Sequence, residues 1–240
     1  MLKEVLSLFV CAVIGSQAIA ATLVLQQGLN NYTGTQDTTI YDTDVNNSAG
    51  GFPYLYVGQS QNRGSRRSLI RFDLSAIAAG STVTSATLQF YIDPISRPTS
   101  ITGSVHRLTR TWTEGNNLIP DQNAGGAGAP AQPGDTTWNH VSFNTMLWNT
   151  AGGEFAAQPA ATGVLGNADT FAFFSGQGLA ADVQTWVETP SLNYGWIVRG
   201  DEAEIWTAKR LFSSESTDPR KPILYIEFTP PSLVPDWVLY

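Results

Sequence analysis

The chain has 240 residues, a net charge of -7, 42% hydrophobic and only 14% charged residues, 22 Gly, 13 Pro and one Cys. That balance excludes coiled coil, collagen and charge-driven disorder, and its acidic sign argues against a partner whose phosphates must be neutralised, so no nucleic acid is expected. Seven Trp within 11% aromatics supply a large core without disulfide staples.

From the N-terminus, Met1, Leu2, Lys3 and Glu4 open onto an apolar run at residues 5–14, followed by Ala18, Ile19, Ala20 and Ala21. The A-x-A arrangement predicts a secretory signal over residues 1–20, cleaved after Ala20. The run is about ten residues long, against the ~20 that span a bilayer, so no membrane span is expected. Cys11 lies inside the leader, and the exported chain then carries no cysteine.

Residues 21–229 read as short alternating runs broken by Gly, Asn, Asp, Ser and Pro, the pattern of antiparallel strands and turns in one domain. Ile70, Phe72 and Leu74 alternate with Arg71 and Asp73. Ala86, Leu88, Phe90 and Ile92 alternate with Thr87, Gln89 and Tyr91, which predicts one apolar and one wet face. Leu224, Ile226 and Phe228 alternate with Tyr225 and Glu227. Weaker strand candidates fall at 38–41, 54–57, 105–108, 171–174, 195–198 and 210–213. Leu179, Val183 and Trp186 share a face at spacings of four and three, predicting a helical turn over 179–187. Residues 116–136 are rich in Gly and Pro and longer than the ~12–15 residues of a plain loop, which implies a lid, an irregular excursion or disorder. The tail 230–240 opens on Pro230 and Pro231, so the last strand ends near Phe228.

Two polar clusters stand out along this path. Asp42, Asp44 and Asn46 have the D-x-D-x-N spacing that turns three hard oxygens to one side of a loop, which suits Ca²⁺; an Asx turn bonded to its own backbone is the alternative. Arg63, Arg66 and Arg67 gather just before a strand, and Arg71 follows on its polar face. Catalytic patterns are absent from the sequence: Glu114, Asp135, Glu154, Asp182 and Glu215 form no local pair, and His106 and His140 belong to no recognisable triad or metal motif. His106 reads as a core or edge histidine, and no catalytic residue is assigned.

Several motifs, in order, resemble the DNRLRE domain family, grouped with carbohydrate-binding module family 96. They are Asp37-Thr38-Thr39-Ile40, Leu55-Tyr56-Val57-Gly58, Leu69-Ile70-Arg71-Phe72-Asp73-Leu74-Ser75, Val83-Thr84-Ser85-Ala86-Thr87-Leu88 and Trp112-Thr113-Glu114-Gly115. Thr137-Trp138, Val183-Gln184-Thr185-Trp186-Val187, Ser214-Glu215 and Arg220-Lys221-Pro222-Ile223-Leu224 continue the series. The resemblance implies an all-β, jelly-roll-like antiparallel β-sandwich on a secreted or surface protein, a non-catalytic module with an alginate-type acidic polysaccharide as associated ligand. On that reading Arg63, Arg66 and Arg67 are the ligand's carboxylate contacts, because guanidinium forks grip carboxylates bidentately. Structural ion pairs, Arg71 with Asp73 or Arg67 with Glu114 or Glu215, are the competing reading. Sugar rings stack on exposed aromatics. Trp112, Trp138 and Trp186 sit in family motifs and read as core, whereas Tyr54, Tyr56, Trp148, Trp196 and Trp206 are freer, with Tyr54 and Tyr56 assigned to ligand. The expected role is binding an extracellular polysaccharide without cleaving it; a structural matrix protein of the cell surface and a stand-alone polysaccharide lyase are the alternatives.

Overall fold

The computed structural model describes residues 19–62, 64–118 and 125–232. The predicted leader up to residue 18, Arg63 and the end of the tail lie outside the described residues. In chain order the strands begin with β1 (Ala21–Leu25), β2 (Thr35–Tyr41), β3 (Asn47–Ser48), β4 (Tyr54–Gln59), β5 (Ser65–Phe72), β6 (Thr82–Ile92) and β7 (Ile101–Arg107). Short pieces follow, β8 (Ala129–Pro130), β9 (His140–Ser142) and β10 (Met146–Leu147), and then β11 (Ala161–Leu165) and β12 (Thr170–Ser175). After the helix α1 (Gln177–Glu188) come β13 (Trp196–Arg199), β14 (Lys209–Phe212) and β15 (Ile223–Thr229).

The all-β class expected from the alternation is what forms, as two antiparallel layers. One layer runs β1-β15-β6-β14-β4, with β12 also on β6; the other runs β5-β13-β7-β11, with β2 on β5. Strand β4 belongs to both. Its residues 54–57 pair with β14, and Gly58 and Gln59 pair with β5. The switch falls at Gly58, whose φ is +92° and where a Cβ would meet the Thr207 carbonyl oxygen at 2.7 Å. Glycine alone takes that corner without strain.

The main core lies between the layers. Leu55, Ile70, Phe72, Leu88, Phe90, Phe174, Trp196 and Leu224 meet there, and α1 closes it with Leu179, Val183, Trp186 and Val187 at the helical spacing foreseen for 179–187. The β6 pattern holds on its apolar face, but the other face is not wet. Gln89 and Tyr91 are buried there, Tyr91 against Phe171, Phe212 and the Arg220 guanidinium and Gln89 against the Tyr225 hydroxyl.

The outer face of the β5–β13 layer is also covered. Ile40, Leu69 and Ile197 pack with Leu108, Trp112, Val141 and Trp148 of the long connection from β7 to β11. Both faces of β5 and β13 are therefore dry, which is why Ser68-Leu69-Ile70 and Trp196-Ile197-Val198 are buried without alternation. The described ends of the Gly/Pro-rich segment are tied down. The Asn117 amide donates to Ser48 Oγ and the Pro130 carbonyl, and Asp135 Oδ2 accepts from Ser48 Oγ and the Gln132 N–H. Those parts form an irregular excursion bound to β3. Among the described residues, no helix is long and apolar enough to cross a membrane.

Candidate functional site

A cleft of about 560 Å³ opens where β4 and β14 meet the turn leading to β15. Tyr54 and Phe212 line it and belong to an aromatic ladder that continues beneath the surface. Tyr54 lies 5.7 Å from Phe212, and Phe212 stacks at 5.6 Å on Tyr91. Residues 54 of β4 and 212 of β14 are directly opposed in register, so the ladder is a product of cross-strand pairing.

Two guanidinium groups lie on these rings. Arg210 sits 3.9 Å above Tyr54 and donates from Nη2 to Asp93 Oδ1 at 2.7 Å. Arg220 sits 3.9 Å above Tyr91 and forks onto Asp218 through Nε at 2.8 Å and Nη2 at 2.5 Å. Arg210 is nearly closed off, whereas the Arg220 side chain is 36% exposed and its Nη1 reaches only Asp169, at 3.5 Å. The forked hydrogen bonds to Asp218 raise the already high Arg220 pKa further, so this group is a cation at every working pH. Glu215, Ser216 and Thr217 add oxygens along the same wall, and Ile95 and Leu118 form exposed apolar lips. Phe212 and Tyr91 are buried and support the Arg220 guanidinium from beneath, so the cleft offers a ligand guanidinium donors, carboxylate and hydroxyl oxygens and the half-buried Tyr54, a set suited to a hydroxyl-rich molecule.

Of the assigned ligand residues, Tyr54 alone lines this cleft. Tyr56, two residues on, is buried and stacks on Phe52 at 6.4 Å. Arg66 was read as a loop residue; it stands on β5, 2% exposed, donating from Nε to the Gly126 carbonyl and from Nη1 to that of Gly64. The partner that buries it comes from sixty positions downstream, and nothing local signals this. Arg67 faces a second cleft, of about 520 Å³, where Nε and Nη2 both reach Glu202 at 2.8 Å. Its guanidinium also lies 4.7 Å from the Trp138 ring. The competing ion-pair reading thus describes Arg67, with Glu202 in place of Glu114 or Glu215. Arg71 bonds Gln36 Oε1 instead of Asp73. Arg63 lies outside the described residues.

Trp148 and Trp196, expected to be free, are buried in separate clusters, whereas Trp206 is exposed with Arg97 stacked 3.8 Å over it. His106 is a core histidine as expected, held by the Ala156 carbonyl and Ser104 Oγ, and burial pushes its pKa down. Asp42, Asp44 and Asn46 lie in the turn between β2 and β3, with the Asp44 carbonyl accepting from the Asn47 N–H. Asn46 is exposed, and Asp42 Oδ1 is buried without a hydrogen-bond partner among the described residues.

One cluster escaped the sequence. Glu114 and Glu215, which form no local pair, meet Asp37 with carboxylate oxygens all within 4.8 Å of one another. Asp37 is 1% exposed. Burial, then the charges of Glu215 and Glu114, push its carboxyl well above the usual range. Burial likewise pushes Glu114 up to about 7. Of the three, Glu215 lines the cleft, whereas Asp37 is closed to a sugar ring.

The fold is an antiparallel sandwich with an arginine–aromatic cleft on its surface. Residues 29–117 match the model of carbohydrate-binding module family 96, in agreement with the resemblance carried by the motifs from Asp37 to Gly115. The match suggests carbohydrate binding without catalysis. Among curated proteins nothing matches this chain.

Proposed function

We propose that the protein is exported and holds an extracellular polysaccharide, without cleaving it, in the cleft between Tyr54 and Arg220. The observation that carries this reading is the pair of guanidinium groups stacked on a three-ring ladder beside a cleft, on a sandwich whose residues 29–117 match a carbohydrate-binding family. An acidic, alginate-type chain is the ligand we favour, with the outward edge of Arg220 as its carboxylate contact in place of Arg66 and Arg67. Long-range attraction to a polyanion is absent at a net charge of -7, so affinity rests on local contacts and moderate salt weakens it little.

Affinity electrophoresis in gels containing alginate, pectin or a neutral glucan tests this. Wild type should be retarded by alginate. Arg220→Ala should bind with a roughly 10- to 100-fold weaker Kd, with its melting temperature nearly unchanged. Tyr54→Ala should weaken binding as well. Retardation by the neutral glucan alone removes the acidic ligand and keeps the module. Retardation in no gel removes the carbohydrate reading and favours the matrix-structural role, for which Phe171 and Phe173, both about half exposed on β12, offer a packing surface. Export has its own check: the mature secreted protein should begin at Ala21, the first residue of β1, and an extracellular form retaining Met1 would contradict it.

A further inference from the structure

The three carboxylates of Asp37, Glu114 and Glu215 come from β2, from the connection after β7 and from the turn after β14. Part of their hydrogen-bonding capacity is used. Glu114 Oε1 accepts from the Asp37 N–H at 2.6 Å, Asp37 Oδ2 from the Ser214 N–H at 2.8 Å and Glu215 Oε1 from Ser214 Oγ at 2.6 Å. Asp37 Oδ1 and Glu215 Oε2 are buried and have no hydrogen-bond partner among the described residues. Arg71 is an electrostatic neighbour of Glu114, but its guanidinium is spent on Gln36 Oε1 and lies over Trp112. Buried anionic oxygens left unpaired this close together are costly, unless a proton or a cation joins them.

We propose that Asp37, Glu114 and Glu215 bind a calcium ion that fastens β2 to the two segments walling the cleft. Hard carboxylate oxygens are calcium's preferred ligands, and two oxygens on opposite sides of an ion at ~2.4 Å stand about 4.8 Å apart, so one oxygen from each residue, all within 4.8 Å of one another, can reach a single ion. The unpartnered oxygen of Asp37, on a side chain 1% exposed, is the feature that a surface patch of acids lacks. Each ligand also falls in a separate family-like motif, Asp37-Thr38-Thr39-Ile40, Trp112-Thr113-Glu114-Gly115 and Ser214-Glu215. The site is distinct from the turn at Asp42, Asp44 and Asn46, and it shares Glu215 with the wall of the cleft.

The test is calcium titration of chelator-stripped full-length mature protein, read by melting temperature and by isothermal calorimetry, against sodium chloride at equal ionic strength. Calcium at a hundredfold excess over Kd should raise the midpoint by about 5–10 °C. Glu215→Gln, at the most accessible position, should bind calcium roughly tenfold more weakly or lose it, while its metal-free midpoint stays near that of stripped wild type. Asp42→Ala/Asp44→Ala should keep both the heat and the shift. No shift and no heat in wild type would overturn the proposal and leave the carboxylates sharing protons. So would calcium binding that survives Glu215→Gln and disappears in Asp42→Ala/Asp44→Ala.

Discussion

Replacing Trp196 by alanine is expected to cost about 3–5 kcal/mol, a large share of the ~5–15 kcal/mol that holds a domain of this kind together. The indole is fully buried on β13, in the layer whose two faces are both dry, and stands 4.6 Å from the Trp186 ring of α1. Removing it opens a cavity at the joint between helix and sheet. Its Nε1 also donates to Asp182 Oδ2 at 2.8 Å, and the other partner of that carboxylate is Arg107 at 3.5 Å. Trp196→Phe should therefore still cost about 1–3 kcal/mol, because it fills much of the volume and leaves a buried carboxylate oxygen unbonded. Denaturant unfolding of both variants measures the difference. Equal stability of Trp196→Phe and wild type would show that the hydrogen bond contributes nothing net.

The second large effect belongs to Glu202. One carboxylate receives two forks, Arg67 at 2.8 Å through both nitrogens and Arg199 at 2.7 Å and 3.3 Å, with side-chain exposures of 14%, 28% and 13% for Arg67, Arg199 and Glu202. Glu202→Gln strands two guanidinium groups beside Phe155 and should cost about 3 kcal/mol, lowering the melting temperature by roughly 6–12 °C. Burial alone would raise the Glu202 pKa, but the hydrogen bonds and charges of Arg67 and then Arg199 hold it below the ordinary 4.5. A depressed carboxylate stabilises the fold fully above that ordinary value, and the contribution is lost as pH falls through the lowered one. Wild type should accordingly lose stability below about pH 4.5, and Glu202→Gln should lose less over the same range. Parallel acid profiles would refute the assignment.

How far the sequence exposed this fold depended on how local each cause was. β6 and β15 were legible because cross-strand layers leave a period of two in their side chains, and α1 because Leu179, Val183 and Trp186 repeat at helical spacing. β1 was missed behind the leader, and β11 because Ala161–Leu165 mixes Thr and Gly with only two buried residues. The long connection over β5 and β13 buries Trp148 and Ile197, and with both faces of β13 dry no alternation marks Trp196 as a residue of the inner core. Tyr54 was within reach as a free aromatic, but Arg210 and Arg220 were not, since their significance lies in rings brought from β4 and β6. The acidic trio shows the same limit. Its members are separated by 77 positions in one case and by about 180 in another, and only the closing of the two layers on each other makes them neighbours.

The pairing of β1 with β15 gives the molecule a mechanical polarity. Ala21 lies opposite Phe228 and Leu25 opposite Leu224, so the outer ends of both strands emerge from the same end of the ladder. A load applied across those two ends acts on one rung at a time and opens the pair like a zipper, whereas a shearing load would tension all of the rungs together. Stretched from both ends, β1 would peel away first, while β15 stays clasped to β6 along seven register pairs. If the cleft holds its ligand as proposed, a pull on β4 and β14 would fall on a strand shared by both layers and would be distributed through the sandwich. The strand ends are therefore the part of the sandwich that yields first under such a load.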